Sequence, residues 1–259
     1  MNDPFHQRRL PWQRLPLALN VGALASLAAW VLIDADFPRT VHWLLVELGR
    51  RPGESGLALM RSWSRYGASL AALKALLAVG LTAGLAAFVL LFVGPARQRG
   101  LRSWLALLTV CCAWLALGVG WSDLAWWGKQ RRVAARLPEF EQAAELLSGR
   151  WPGQDGEVTG LGPFTAYPIG RPTTLLMLSE EGADLGARFL AVERVADEGG
   201  LRFALAGKER GDWLEWHPAG RAPASFTGGL GDRHKLLRSA PLGKGWHLVR
   251  YSPDDGDAD

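Results

Sequence analysis

Apolar positions follow two different rhythms along this chain. Up to Trp121 they gather into long runs, whereas beyond it they alternate with polar residues or recur at helical spacing. Leu15 to Ile33 (LPLALNVGALASLAAWVLI) holds roughly nineteen residues without a charge, enough to cross a hydrocarbon core of ~30 Å. Residues 75–94 and 103–121 form two further runs of the same kind. The first follows Arg8, Arg9 and Arg14 like a signal peptide, but its apolar core is longer than a signal core, so it reads as a retained helix. Trp12, Trp30, Trp104 and Trp121 stand near the span ends, where an aromatic belt belongs. The pattern predicts three transmembrane α-helices.

Between the first two runs, Val41, Leu44, Leu45 and Leu48 recur at helical spacing and predict an amphipathic surface helix over about 39–50. Asp36, placed before such a helix and a following span, resembles the approach segment of membrane phosphatases of the phosphatidic-acid type. That family works through the motifs Lys-x6-Arg-Pro, Pro-Ser-Gly-His and Ser-Arg-x5-His. None of them occurs in this chain, so the likeness implies shared membrane geometry and no catalysis.

After Trp121 the rhythm changes. DLAWWGKQRRVAAR continues helically, and LPEFEQAAELLSG predicts a second helix with Phe140, Ala143, Ala144 and Leu147 on one apolar face. Pro138 suits a first turn, and Glu139 and Glu141 suit the positive end of the helix dipole. TTLLML, RFLAVERV, LRFAL, DWLEW, HKLLRS and WHLVRY then read as strands separated by Gly/Pro turns. A helix followed by meandering strands predicts an α+β domain with a mostly antiparallel sheet. The expected organisation is a basic tail (1–14), a three-helix region (15–121), membrane-proximal helices (122–149), the α+β domain (150–252) and an acidic, disordered tail (253–259).

Composition sharpens this picture in a few places. Hydrophobic residues make up 49% and charged ones 21%, an average that hides two unlike halves. The net charge of +4 comes without a Lys/Arg block, which argues against nucleic-acid binding. No carboxylate lies inside a span, which argues against a proton or ion pathway. Lys74, at the edge of the second run, is placed to snorkel to the headgroups, and Gly80 and Gly84 form a GxxxG step suited to self-association. The adjacent Cys111 and Cys112 are apolar fillers of a span. Arginines and lysines lie on both sides of the spans. The short Arg-dense loop PARQRGLR shares a side with the N-terminal tail, and it places the N-terminus inside and the soluble domain outside. In a bacterium the host membrane would be the cytoplasmic one.

The stretch DWLEWHPAGRAPASFTGGLGDRHK (residues 212–235) concentrates the candidate chemistry. His217, His234 and His247 with Glu215 or Asp232 lack any metal-site spacing, and the predicted cofactor and metal content is none. Ser225 lies outside a GxSxG elbow. GGLGDRHK lacks GK[ST] and leads into a strand. Strand alternation sends Asp212 and Glu215 to opposite faces, so they do not form a glycosidase pair. The same alternation puts Leu214 and Trp216 in the core and predicts an exposed recognition face of Trp213, Glu215 and His217, with Arg233 nearby. The reading is a membrane-anchored, non-catalytic interaction protein of the envelope, contacting the bilayer and a protein partner. The alternative is a membrane-bound hydrolase around His217, Ser225 and His234.

Overall fold

The computed structural model describes residues 15–49, 57–93, 101–159, 161–178, 189–195, 199–205, 211–218, 221–229 and 231–253. The N-terminal tail with Arg8, Arg9 and Arg14, the arginines Arg97 and Arg99 and the acidic residues 254–259 lie outside them. The chain divides into two compact units, Met1–Lys129 and Gln130–Asp259.

The first unit is helical, with α1 at Leu15–Ile33, α2 at Phe37–Leu48, α3 at Leu57–Val93 and the start of α4, Leu101–Ala135. Three of these helices, α1, α3 from Tyr66 and α4, are long and apolar enough to cross a membrane. Two run well beyond the apolar segments of the sequence. Neither the stretch before Ala75 nor the one after Trp121 holds a proline, so backbone hydrogen bonding continues where hydrophobicity stops. Leu81, Leu115 and Val119 are exposed on these helices.

Asn20 joins the three long helices. This buried amide donates from Nδ2 to the Gly80 carbonyl of α3 at 2.9 Å and accepts from the Trp114 indole of α4 at 2.5 Å. A Cβ at Gly80 would overlap the Trp114 ring, and one at Gly84 would press on Asn20. Both glycines of the GxxxG step thus face side chains of this chain's own helices. Lys74 also differs from expectation. Its ammonium donates to Glu47 Oε1 of α2 at 2.6 Å, pinning the short helix to α3. Phe37 lies between Trp30 and Trp121 and fixes the start of α2.

Among its described residues the second unit contains α5 (Leu137–Gly149) and nine strands. They are β1 Gly156–Val158, β2 Gly162–Tyr167, β3 Thr174–Met177, β4 Phe189–Arg194, β5 Leu201–Leu205, β6 Asp212–Trp216, β7 Phe226–Thr227, β8 Arg233–Gly243 and β9 Trp246–Pro253. All pairs are antiparallel, in the order β1-β2-β3-β4-β5-β6-β9-β8-β7. The expected antiparallel sheet is thus present, and larger than anticipated. The strands β1, β2 and β7 escaped notice because they are short or carry Gly and Pro, which weaken the alternation signal.

One sheet face is the core. Phe140, Ala143, Ala144 and Leu147 of α5 pack onto Phe164, Leu175, Val192, Leu201, Phe203, Leu214 and Trp246. The strands β2 to β6 and β9 contribute alternate residues, so the intervening ones must occupy the reverse face. That face holds the candidate site.

Candidate functional site

The strand registers write a single polar row across the reverse face. Thr174 lies opposite Glu193, Glu193 opposite Arg202, Arg202 opposite Glu215, and Glu215 opposite His247. Directly opposed residues have Cβ atoms about 4.5–5.5 Å apart, so successive members can interact. Glu215 is the centre, with 0% exposure. Its Oε1 accepts from the Tyr251 hydroxyl at 2.6 Å and from Arg202 Nε at 3.1 Å, while His217 Nε2 lies 2.9 Å from Oε2. A buried carboxylate is costly unless paired and hydrogen-bonded, and this one has a cation and further partners.

A loop closes the face. After β6 the chain turns back so that the Phe226 ring lies 3.7 Å over the Arg202 guanidinium. The Gly229 N–H donates to Glu193 Oε1 at 3.2 Å, and the Ala224 carbonyl lies 3.2 Å from the Tyr251 hydroxyl. Ser225 Oγ accepts the Leu236 N–H at 2.9 Å, tying the loop to β8. Gly229 needs to be glycine, because a Cβ there would overlap Thr174 Oγ1. Trp213, Val249 and Tyr251 form a second small core under this loop, with Phe226 and Leu236 against it.

Burial sets the ionisation of the row. Desolvation pushes the Glu193 carboxyl up from its ordinary range; the Gly229 N–H opposes that rise and the nearby Asp232 charge adds to it. Burial likewise raises the Tyr251 hydroxyl, and the Glu215 charge and hydrogen bond add to it, so Tyr251 is a fixed donor. His247 is shifted down, mainly by desolvation. No protein-family model matches this chain, nor does any curated protein or solved structure.

The candidate residues from the sequence are distributed differently from what alternation alone suggested. Trp213, Glu215 and His217 do share one face, but it is buried, with Trp213 at 7% and His217 at 3% exposure. The covering loop and the Arg202 counter-charge are the reasons; neither is visible in a single strand. Arg233 is exposed and stands next to His234 in β8, so it points to the other side and does not join them. His217, Ser225 and His234 have three separate engagements. His217 is held at Glu215, Ser225 receives a backbone N–H, and His234 stacks on Phe226 at 4.6 Å with Asp232 2.7 Å from its Nε2. Among the described residues no group of three His, Cys, Asp or Glu side chains could hold a metal ion.

Arg202, Glu193, Thr174 and Tyr251 were not singled out from sequence. Arg202 carried the available signal: it interrupts LRFAL between two core residues, which forces its side chain onto the reverse face. An open cavity of about 290 Å3 lies elsewhere, between α1 and α4, and its lining of Leu24, Ala28, Ala113, Ala116, Leu117, Gly120 and Leu124 contains no ionisable group.

Proposed function

We propose that this chain is an integral membrane protein whose three long helices anchor a non-catalytic sheet domain that binds a protein partner at the envelope. The observation that carries the non-catalytic reading is the closure of the polar row. Glu215, the most deeply placed acid, is fully buried and spends its oxygens on Arg202, Tyr251 and His217. A general acid or base must reach a proton on its substrate. Here the loop occupies that approach, and the network works as internal glue that leaves the outer surface for recognition.

The anchoring part rests on the length and apolar surface of α1, α3 and α4. With three spans the N-terminus and the sheet domain lie on opposite sides, and the Arg-dense loop favours an extracytoplasmic domain. A cytoplasm-dependent reporter fused at Asp259 is expected to be silent, and an active one reverses the orientation. The functional reading is tested on full-length protein purified in mild detergent, by metal analysis, a serine-directed phosphonate probe and affinity capture. The expected result is no bound metal, no labelling and a stoichiometric protein partner. Stoichiometric metal, or labelling that disappears in Ser225→Ala, replaces the binding reading with a hydrolytic one.

A further inference from the structure

Where β9 leaves the sheet, β8 carries a stripe of cations. Arg238 lies opposite Arg250 and Lys235 opposite Ser252, and opposed residues share a face. Arg250 and Ser252 are two apart in β9, so Arg238 and Lys235 stand on one side of the sheet, with Arg233 two residues before Lys235. All three β8 cations are exposed. Like charges directly opposed, as Arg238 and Arg250 are, cost stability in a bare sheet. Arg250 is answered within the domain, because Asp212 accepts from its Nε at 2.6 Å and from its Nη2 at 2.9 Å. The acid next to the stripe in sequence, Asp232, has Oδ2 at 2.7 Å from His234 Nε2, and that ring meets Trp213 on the opposite face.

The register runs on into residues of the opposite charge. His234 lies opposite Pro253, so the next step of the ladder brings Asp254 opposite Arg233. Asp254 is the first of four aspartates in residues 254–259 (DDGDAD). Gly256 allows the chain to turn, and the five residues after Asp254 extend at most ~16–18 Å. That reach matches the ~17 Å from Arg233 to Arg238 along β8, at about 3.3 Å per residue. We propose that residues 254–259 fold back within the same chain and are the resident occupant of the Arg233, Lys235 and Arg238 stripe. A segment with so little apolar surface orders only against a partner surface, and its attachment at Pro253 holds it there at high effective concentration. A binding partner that uses this face has to displace the segment, which makes it a built-in competitor. That use rests on the binding reading above, whereas the contact itself does not.

The test uses full-length protein in mild detergent, with nitroxides at Ala258→Cys and Ser239→Cys in a Cys111→Ala/Cys112→Ala background. Ser239 lies opposite Val249 and keeps its label off the stripe. The expected result is a single distance, its distribution at least about twofold narrower at ~0.1 M than at ~1 M salt, where screening acts within about 3 Å. The variant Asp254→Asn/Asp255→Asn/Asp257→Asn/Asp259→Asn leaves the sheet untouched and should broaden the distribution to its high-salt width. Arg233→Gln/Lys235→Gln/Arg238→Gln should do the same. A width that ignores salt and both sets of substitutions overturns the docked segment. A narrow distance that survives the Gln variant but not the Asn variant refutes the stripe as its receptor. A dipolar signal from protein labelled at 258 alone assigns the contact to a second copy and overturns the contact within one chain. Affinity capture that brings down no partner removes the competitor's role and leaves the distance result standing.

Discussion

Replacing Arg202 by Met removes the guanidinium that donates to Glu215 while keeping most of the apolar stem under Phe226. Glu215 is fully buried and the Arg202 side chain is 13% exposed, so solvent does little to replace the lost charge. Breaking one side of a buried ion pair costs ~3–5 kcal/mol, and the lost cation–π contact adds about 0.5–2 kcal/mol. For a domain of this size, each kcal/mol lowers the melting temperature by roughly 3–4 °C, so a fall of ~10–28 °C is expected. The companion variant Arg202→Met/Glu215→Gln removes both charges and keeps an acceptor for Tyr251. It should recover to within ~1–2 kcal/mol of the parent, because deleting a whole buried pair is often nearly neutral. Denaturation of full-length protein in detergent, followed by near-ultraviolet circular dichroism, reads both numbers. A single variant within ~0.5 kcal/mol of the parent refutes the reasoning, as does a double variant no better than the single.

Four further outcomes follow. Gly229→Ala drives a methyl group into Thr174 and should cost ~1–3 kcal/mol, with amide exchange of 221–229 accelerated; unchanged exchange means the loop is not clamped there. The Glu193 carboxyl is raised by burial, so its contribution is fully present below the unfolded value near 4.5 and is lost as pH rises through the folded value. Glu193→Gln should therefore be the more stable protein at neutral pH, with the difference vanishing below about pH 4.5 in pH-dependent unfolding. His247 is depressed, so its contribution is present above the unfolded value near 6.5 and lost as pH falls toward the folded value; His247→Gln should flatten that acid limb of the curve. Asn20→Leu strands the Trp114 N–H and removes the second bond to the Gly80 carbonyl, and should cost ~0.6–2 kcal/mol in unfolding of the helical unit.

Much of the architecture was legible because it depends on local periodicity. The runs around Leu15–Ile33 and Ala75–Val93, the face of α5 and the alternation of LRFAL and DWLEW each follow from residues adjacent in sequence. Alternation grouped Trp213, Glu215 and His217 onto one face. Their burial depends on β5 bringing Arg202 opposite Glu215, on β9 bringing Tyr251, and on a loop carrying Phe226 back over the sheet. Such long-range pairings leave no periodic trace. Asn20 was hidden for the converse reason. A lone amide in an apolar run looks like noise until its two partners, 60 and 94 residues away, are known.

The place of β9 between β6 and β8 bears on how the domain is made. During synthesis β1 to β6 emerge in an order that lets each pair with the strand before it. β8 cannot join that sheet until β9 has been made to bridge it to β6, and Tyr251, which completes the bonding of Glu215, travels on β9. A nascent chain stalled before Trp246 therefore presents β6 as a raw edge that carries Glu215. Such fragments should be favoured clients of chaperones and proteases, and the same chain becomes refractory to both once the β8–β9 hairpin has docked.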